Sequence, residues 1–232
     1  MIIPIYLCQQ SWIDIHCRMR VSRFYLLMHY RDMRGVMARK PREQIPGATY
    51  HVYSRCLQWA DLMEQDYFKA LFLDVILQAK EIYTFDLCFY EIMDNHFHLV
   101  IKTREGEANI SRIMQYIKAR FAEKYNRTTN RIGPFWNERF KDVIVENQGK
   151  PLHYFLWLLW YLAFNPVRKK RVADPRDYKF GSINQYLNPE KGPCAPITLH
   201  EYFQYLGNTF QEKVATLLLY EEYYRRKRAV FW

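Results

Sequence analysis

Two histidines separated by a single residue stand where an apolar run ends, in Glu91-Ile92-Met93-Asp94-Asn95-His96-Phe97-His98-Leu99-Val100. Asp94-Asn95 is a turn-forming pair, and an alternating pattern resumes after it. Residues i and i+2 of a strand point to one face, so His96 and His98 present two imidazoles side by side while Phe97 and Leu99 turn the other way. Such a pair is a set of metal ligands, and equally a pair of packing histidines at a strand start; the spacing alone leaves both open. A second stretch, Leu158-Leu159-Trp160-Tyr161-Leu162-Ala163-Phe164-Asn165-Pro166-Val167, reads as the end of an apolar helix. Tyr161 and Asn165 are there i and i+4 and share a face. A phenol able to act as a nucleophile then lies beside an amide able to act as a ligand. A core tyrosine followed by an asparagine that ends the helix before Pro166 fits the same pattern.

The elements that must position these residues follow in order. Thr49 to Cys56 is a β-rich run after the Pro46-Gly47 turn signal. Asp66 to Ile82 spaces Phe68, Leu71, Phe72, Val75, Ile76 and Ala79 at helical intervals behind a carboxylate. Tyr83 to Met93 and His96 to Lys102 form an antiparallel hairpin, with the histidines at the start of its second strand. Ile110 to Tyr125 is a second helix with Ile113, Ile117 and Phe121 on its core stripe, and Phe140 to Glu146 is a fourth strand. The order β-α-β-β-α-β predicts an α+β, ferredoxin-like fold: an antiparallel four-stranded sheet with both helices on one face and the other face open. Pro151 to Phe164 is an additional helix, suited to begin at Pro151 and to stop at Pro166. Thr198 to Arg228 reads as one or two more helices.

Asp94-Asn95-His96-Phe97-His98-Leu99-Val100 resembles the Pro-Asn-His-x-His-hydrophobic signature of the HUH single-strand DNA transposases. Tyr161 to Arg168 is similar to the Tyr-x-x-x-Asn-Pro-Val segment of their REP-associated tyrosine transposase branch. Tyr50-His51-Val52 with Arg55, Gly133-Pro134-Phe135-Trp136 with Arg139-Phe140-Lys141, and Tyr178-Lys179-Phe180-Gly181-Ser182 extend the resemblance from about Ala38 to Leu187. Asp94 departs from the usual Pro, and Gly181 from the usual Ser. The resemblance implies that the Pro151 to Phe164 helix carries Tyr161 towards the histidines. It also implies that Tyr161 attacks DNA to give a 5′-phosphotyrosine and a free 3′-hydroxyl, without ATP. His96, His98 and the Asn165 carbonyl would hold a divalent ion. Two imidazoles and an amide are softer than the usual all-oxygen magnesium shell and suit manganese or another transition ion; the resemblance supports Mg2+ or Mn2+.

Charge points the same way. The 232 residues carry 34 Lys and Arg against 24 Asp and Glu, net +10, with a pI near 9.3, the balance of a protein with a polyanionic partner. A membrane surface is the competing polyanion, but the longest apolar run, Leu152 to Phe164, has 13 residues, short of the ~18 to 20 that span a bilayer. Arg112, Lys118, Arg120, Arg127, Arg139 and Lys141 interleave with Tyr116, Tyr125, Phe135 and Trp136, a composition suited to single-stranded nucleic acid. With Arg55 they are the expected DNA-binding set. The expected partner is single-stranded DNA containing hairpins, bound by a monomer or homodimer, with no membrane partner. Five cysteines with no CxxC spacing suit a reducing cytoplasm, and Met1 to Cys8 is a poor secretory signal.

Three segments are expected. Residues 1–36 lack clear periodicity and read as a non-core extension or the product of a misassigned start, with a genuine basic arm as the alternative; a chain beginning at Met37 is expected to fold and stay active. Residues 37–187 carry the transposase-like domain, and 188–232 a C-terminal helical extension, either a packing appendage or an element for DNA or dimer contact. The expected activity is metal-dependent nicking and joining of single-stranded DNA at hairpins. The alternatives are a ferredoxin-like nucleic-acid-binding module without catalysis, which has no use for His96, His98, Tyr161 and Asn165 together, and an HUH replication initiator or relaxase. Imperfect palindromes in the flanking genomic DNA would separate a mobile from a host-retained enzyme.

Overall fold

Phe97, Leu99 and Ile101 alternate with His96, His98 and Val100 along one strand, and the alternation decides which layer each side chain joins. The computed structural model describes residues 41–190 and 194–229. Its strands are β1 (Thr49–Arg55), β2 (Phe85–Ile92), β3 (His96–Thr103) and β4 (Lys141–Ile144), in the order β2-β3-β1-β4. All three pairings are antiparallel. Helices α1 (Asp66–Ile82) and α2 (Ile110–Thr129) complete the β-α-β-β-α-β order. The chain divides into two units, Met1–Pro41 and Arg42–Trp232, and every element named belongs to the second. The expectations for residues 1–36 fall outside the described residues.

α1 has Asp66 in its first turn and Lys80 in its last, each favourable to the helix dipole. α2 is capped by Asn109, whose side chain accepts the Arg112 N–H at 3.0 Å, and it ends at Asn130 in the left-handed region, φ 51°. Phe72, Ile76, Ile113, Ile117 and Phe121 from these helices pack with Tyr50, Val52, Phe97, Leu99 and Ile101. The intended amphipathic faces therefore close one side of the sheet.

The other side is not the open surface that strand order predicts. α3 (Pro151–Ala163) is apolar round most of its circumference, so it must be covered on more than one side. It joins Cys88, Phe89 and Val100 of the sheet in one cluster with Ile183 and Tyr186 of α5 (Ile183–Leu187), Phe203 of α6 (Glu201–Gln204) and Leu217 and Tyr224 of α7 (Phe210–Ala229). The Trp160 indole N–H donates to the Leu217 carbonyl at 2.9 Å. The C-terminal segment is thus packed onto α3.

The helix stops short of Pro166, as expected, but the chain does not leave helical geometry there. α3 ends at Ala163, and after a joint at Phe164 (φ −81°, ψ 0°) a further turn, α4 (Asn165–Arg168), begins. Pro166 lies in that first turn, where its missing N–H is no loss. Beyond it, residues 178–182 run along the outer edge of β2. The Ile92 N–H donates to the Phe180 carbonyl at 3.0 Å and the Ser182 N–H to the Tyr90 carbonyl at 3.1 Å, while Ser182 Oγ accepts the Tyr90 N–H at 2.8 Å.

Candidate active site

Register builds the site from four strands. His98 of β3 faces Glu91 of β2 on one side and Tyr53 of β1 on the other, and Tyr53 faces Lys141 of β4. Opposed residues share a face, so Glu91, His98, Tyr53 and Lys141 form a row across the sheet, with Arg55 opposite His96 beside it. Glu91 reaches this row through an irregularity: β2 carries a bulge at Cys88, which shifts the register between Leu87 and Phe89. Leu87 joins the α1/α2 layer, whereas Phe89 and Glu91 turn to the histidine face.

Each histidine is held at its Nδ1, and for His96 the partner defines the tautomer. Asn95 Oδ1 lies 2.7 Å from His96 Nδ1, and because a carbonyl oxygen only accepts, His96 Nδ1 carries the proton. Asn95 is itself held by donating Nδ2–H to Asp61 Oδ1 at 2.7 Å and to the Trp59 carbonyl at 3.3 Å. His98 Nδ1 is 3.0 Å from His51 Nε2. With His98 as that donor, both His96 and His98 keep an Nε2 lone pair, the arrangement that outer partners impose on metal-ligating histidines. Burial lowers the pKa of His51 to about 3, that of His96 to about 4, and that of His98 well below its usual range. The cations Arg55 and Arg168 push His96 and His98 the same way. The imidazoles are neutral at pH 7, the form that binds metal.

α3 and α4 bring in Tyr161 and Asn165. The Tyr161 ring stacks on Trp157 one helical turn earlier, centroids 5.0 Å apart and planes 14° apart. The Arg168 guanidinium lies 4.7 Å from the centre of the Tyr161 ring and donates to the Tyr161 carbonyl at 3.1 Å and to Asn165 Oδ1 at 2.6 Å. It also donates to the Tyr224 hydroxyl at 2.8 Å, which ties α7 to the site. Tyr53, Tyr154 and Tyr161 are within electrostatic reach of one another, and the Tyr53 ring lies 5.6 Å from that of His98. Burial raises the Tyr53 pKa and pushes that of Tyr154 up to about 12, so both hold their protons firmly.

Two buried polar atoms in this region lack a partner, Glu91 Oε1 and Asn165 Nδ2. Asn165 Oδ1 has a second lone pair beyond the one given to Arg168. With His98 protonated at Nδ1, two neutral imidazoles with Nε2 lone pairs, an amide oxygen with spare capacity and a carboxyl with an unpartnered oxygen fit a divalent cation. Among the described residues no three His, Cys, Asp or Glu side chains are already gathered for a metal, so the set expected from sequence depends on its amide member.

The structure treats the expected DNA-binding residues unequally. Arg55 lies beside His96, with its guanidinium 3.9 Å from the Trp59 ring centre, and Lys141 ends the cross-strand row. Arg139 is exposed just before β4. Arg112, Arg120 and Arg127 belong to α2, on the layer behind the sheet, where Arg120 and Arg127 share Glu123. Lys118 is buried, and its ammonium donates to Ser54 Oγ at 2.7 Å and to the Glu138 carbonyl at 2.6 Å. That side chain joins α2 to the sheet and is not available to DNA. Sequence reasoning missed Asn95 and His51 as the groups that orient the histidines, and Glu91 altogether.

Residues 44–152 match the family model described as "Transposase IS200 like"; over that span the chain is similar to the IS200-like transposases. Its fold is that of the REP-associated tyrosine transposase solved bound to a REP hairpin, with TM-score 0.54, 18% identity, and coverage of 72% of this chain and 96% of that one. A structure from Deinococcus radiodurans R1, named as a transposase candidate, aligns with TM-score 0.32 and 15% identity over 47% of this chain and 85% of that one. No curated protein sequence matches.

Proposed function

We propose that the protein nicks and rejoins single-stranded DNA at hairpins, in the manner of the REP-associated tyrosine transposases, with Tyr161 as nucleophile. His96, His98 and Asn165 would hold Mg2+ or Mn2+. The observation that carries the reading is the pair of neutral imidazoles, each held at Nδ1 by Asn95 or His51, on the face that α3 crosses with its tyrosine. Bound there, the ion would polarise the scissile phosphodiester and offset its developing charge.

The protein's own residues do the rest. Trp157 and Arg168 hold the Tyr161 ring between a stacked indole and a guanidinium. The phenol oxygen attacks phosphorus as it loses its proton, the P–O3′ bond breaks, and the departing 3′ oxygen takes up a proton; the 5′ side remains esterified to Tyr161. A 3′-hydroxyl from the same or another strand reverses the exchange. Arg55, Arg139 and Lys141 bind neighbouring phosphates, and Arg112, Arg120 and Arg127 join them only where DNA passes round to the α2 layer. A hairpin partner is supported by the REP hairpin bound to the structural relative. The three described cysteines, Cys56, Cys88 and Cys194, are free, which suits a cytoplasmic enzyme, and no described helix is long and apolar enough to cross a membrane. The protein acts as a monomer or homodimer.

The test is covalent capture. With Mn2+ and a labelled single-stranded hairpin, the wild type should give a denaturant-resistant adduct that Tyr161→Phe abolishes. A full adduct in Tyr161→Phe would move the nucleophile to Tyr154 or Tyr53.

A further inference from the structure

Glu91 has no place in the ligand set above, yet its surroundings are built for a purpose. It is 1% exposed, its Oε1 has no hydrogen-bond partner, and it sits directly across from His98 on the same face of the sheet. A buried carboxyl without a partner is costly and persists where function requires it. The chain makes room for it at Gly181, which bridges to Glu91. A Cβ at position 181 would come within 2.7 Å of Glu91 Oε2 and 2.9 Å of Oε1. The serine that the resemblance leads one to expect at 181 would therefore press on this carboxylate, and glycine leaves it space. The Cys88 bulge is what puts the side chain on the same face as the histidines, since regular alternation from Leu87 would have buried it against α1 and α2.

We infer that Glu91 is a further ligand of the divalent ion, supplying through Oε1 the one anionic oxygen in a site otherwise made of His96, His98 and Asn165. The inference rests on the metal site proposed above. The carboxyl now lies against Gly181 and is not gathered with the imidazoles; cross-strand neighbours have Cβ atoms roughly 5 Å apart, so metal binding would turn the Glu91 side chain from Gly181 towards His98. A hard anionic oxygen added to two imidazoles shifts preference towards Mg2+ and Mn2+ over softer ions.

The experiment titrates Mn2+ alone into the full chain without DNA, by calorimetry, and counts metal-bound waters from water-proton relaxation. His98→Ala serves as reference. Glu91→Gln should weaken Mn2+ binding about tenfold or more, in the range seen when ligand-shell groups are lost, and should add one water to the bound ion. Melting of the metal-free protein should be nearly unchanged, because the amide matches the shape of the buried carboxyl that it replaces. Glu91→Asp, which keeps the charge on a shorter arm, should bind with intermediate affinity, and it answers the question through its water count if Glu91→Gln does not fold. Wild-type affinity and hydration in the Glu91 variants, with binding lost in His98→Ala, would overturn the role of Glu91 and leave the histidine site standing. Wild-type protein that binds Mn2+ no better than His98→Ala would overturn both.

Discussion

Asp94 shows what a single departure from the usual motif does. Its Oδ1 meets the Lys69 ammonium of α1 at 2.8 Å and its Oδ2 meets Arg171, just beyond α4, at 2.6 Å. The turn between β2 and β3 is thereby pinned to a helix on one layer and to the segment following Asn165 on the other, links that a proline could not make. Lys69 has only 5% of its side chain exposed, so removing its counter-charge strands a buried cation. Asp94→Asn should lower stability by about 3 kcal/mol, in the range for breaking a buried pair. Urea midpoints at constant m-value measure this, and a loss under ~0.5 kcal/mol would show that the ammonium finds water or relies on the Glu64 carbonyl that it also contacts. At this scale His96 and His98 were legible because strand parity is local. His51 and Glu91 were not, because their places depend on how a neighbouring strand is set beside them, and for Glu91 on a bulge that inverts the parity; Asn95 adjoins His96 in sequence but is held by the distant Trp59 and Asp61.

At the scale of elements, α1 was legible to its end residues, Asp66 and Ile82, since period and terminal charges agree. α3 was legible as a buried helix, but its surroundings were not: an all-round apolar helix says that it is covered, not by what. Leu159 is fully buried in the cluster that α3 shares with the sheet and α7. Leu159→Ala should cost about 2 to 5 kcal/mol and, by loosening the helix that carries Tyr161, should slow adduct formation more than it weakens hairpin binding. Equal losses in the two assays would mean that α3 also forms the binding surface. His200, at the start of α6, gives the same layer a pH dependence. Its Nδ1 accepts the Tyr202 N–H at 3.1 Å and its Nε2 pairs with Thr49 Oγ1 at 2.8 Å, so the ring is fixed in its neutral form. Burial lowers its pKa to about 4, with Lys102 adding to the shift and Glu201 and Asp86 opposing it. The unfolded chain, with a histidine pKa near 6.5, then binds more protons than the folded one between those values. Stability is full above about pH 6.5 and lost as pH falls towards 4, by about 3 kcal/mol for this group. His200→Gln should take up about one proton fewer on acid unfolding; an unchanged pH slope would remove His200 from the account.

Across the whole molecule, net charge points to a nucleic-acid partner but not to the layer that would meet it. Hairpin affinity should fall steeply with salt. Arg55→Ala and Lys141→Ala should each reduce the slope of log K against log salt by about one, as loss of a phosphate contact does. Arg120→Ala and Arg127→Ala should leave it unchanged, because those side chains lie behind the sheet and pair with Glu123. The reverse pattern would place the DNA on α2. Lys118 was misjudged from sequence for a related reason: a lysine in a basic helix reads as a solvated charge, and only the packed structure reveals acceptors on both sides of its ammonium.

The cover on β2 has a consequence for how the chain is made. Ile92 and Tyr90 take their outer partners from Phe180 and Ser182, which leave the ribosome about ninety residues later. At roughly 5 to 20 residues per second that delay is about 5 to 20 s, during which the outer amides and carbonyls of β2 are bare on a nascent chain that already contains both histidines. An unpaired strand edge is a template for any other extended chain nearby. Neighbouring ribosomes on one message would bring such edges together, so slow translation between Ile92 and Ser182 should favour co-aggregation of nascent chains, and synonymous codons that speed this interval should raise the yield of folded protein without changing one residue of it.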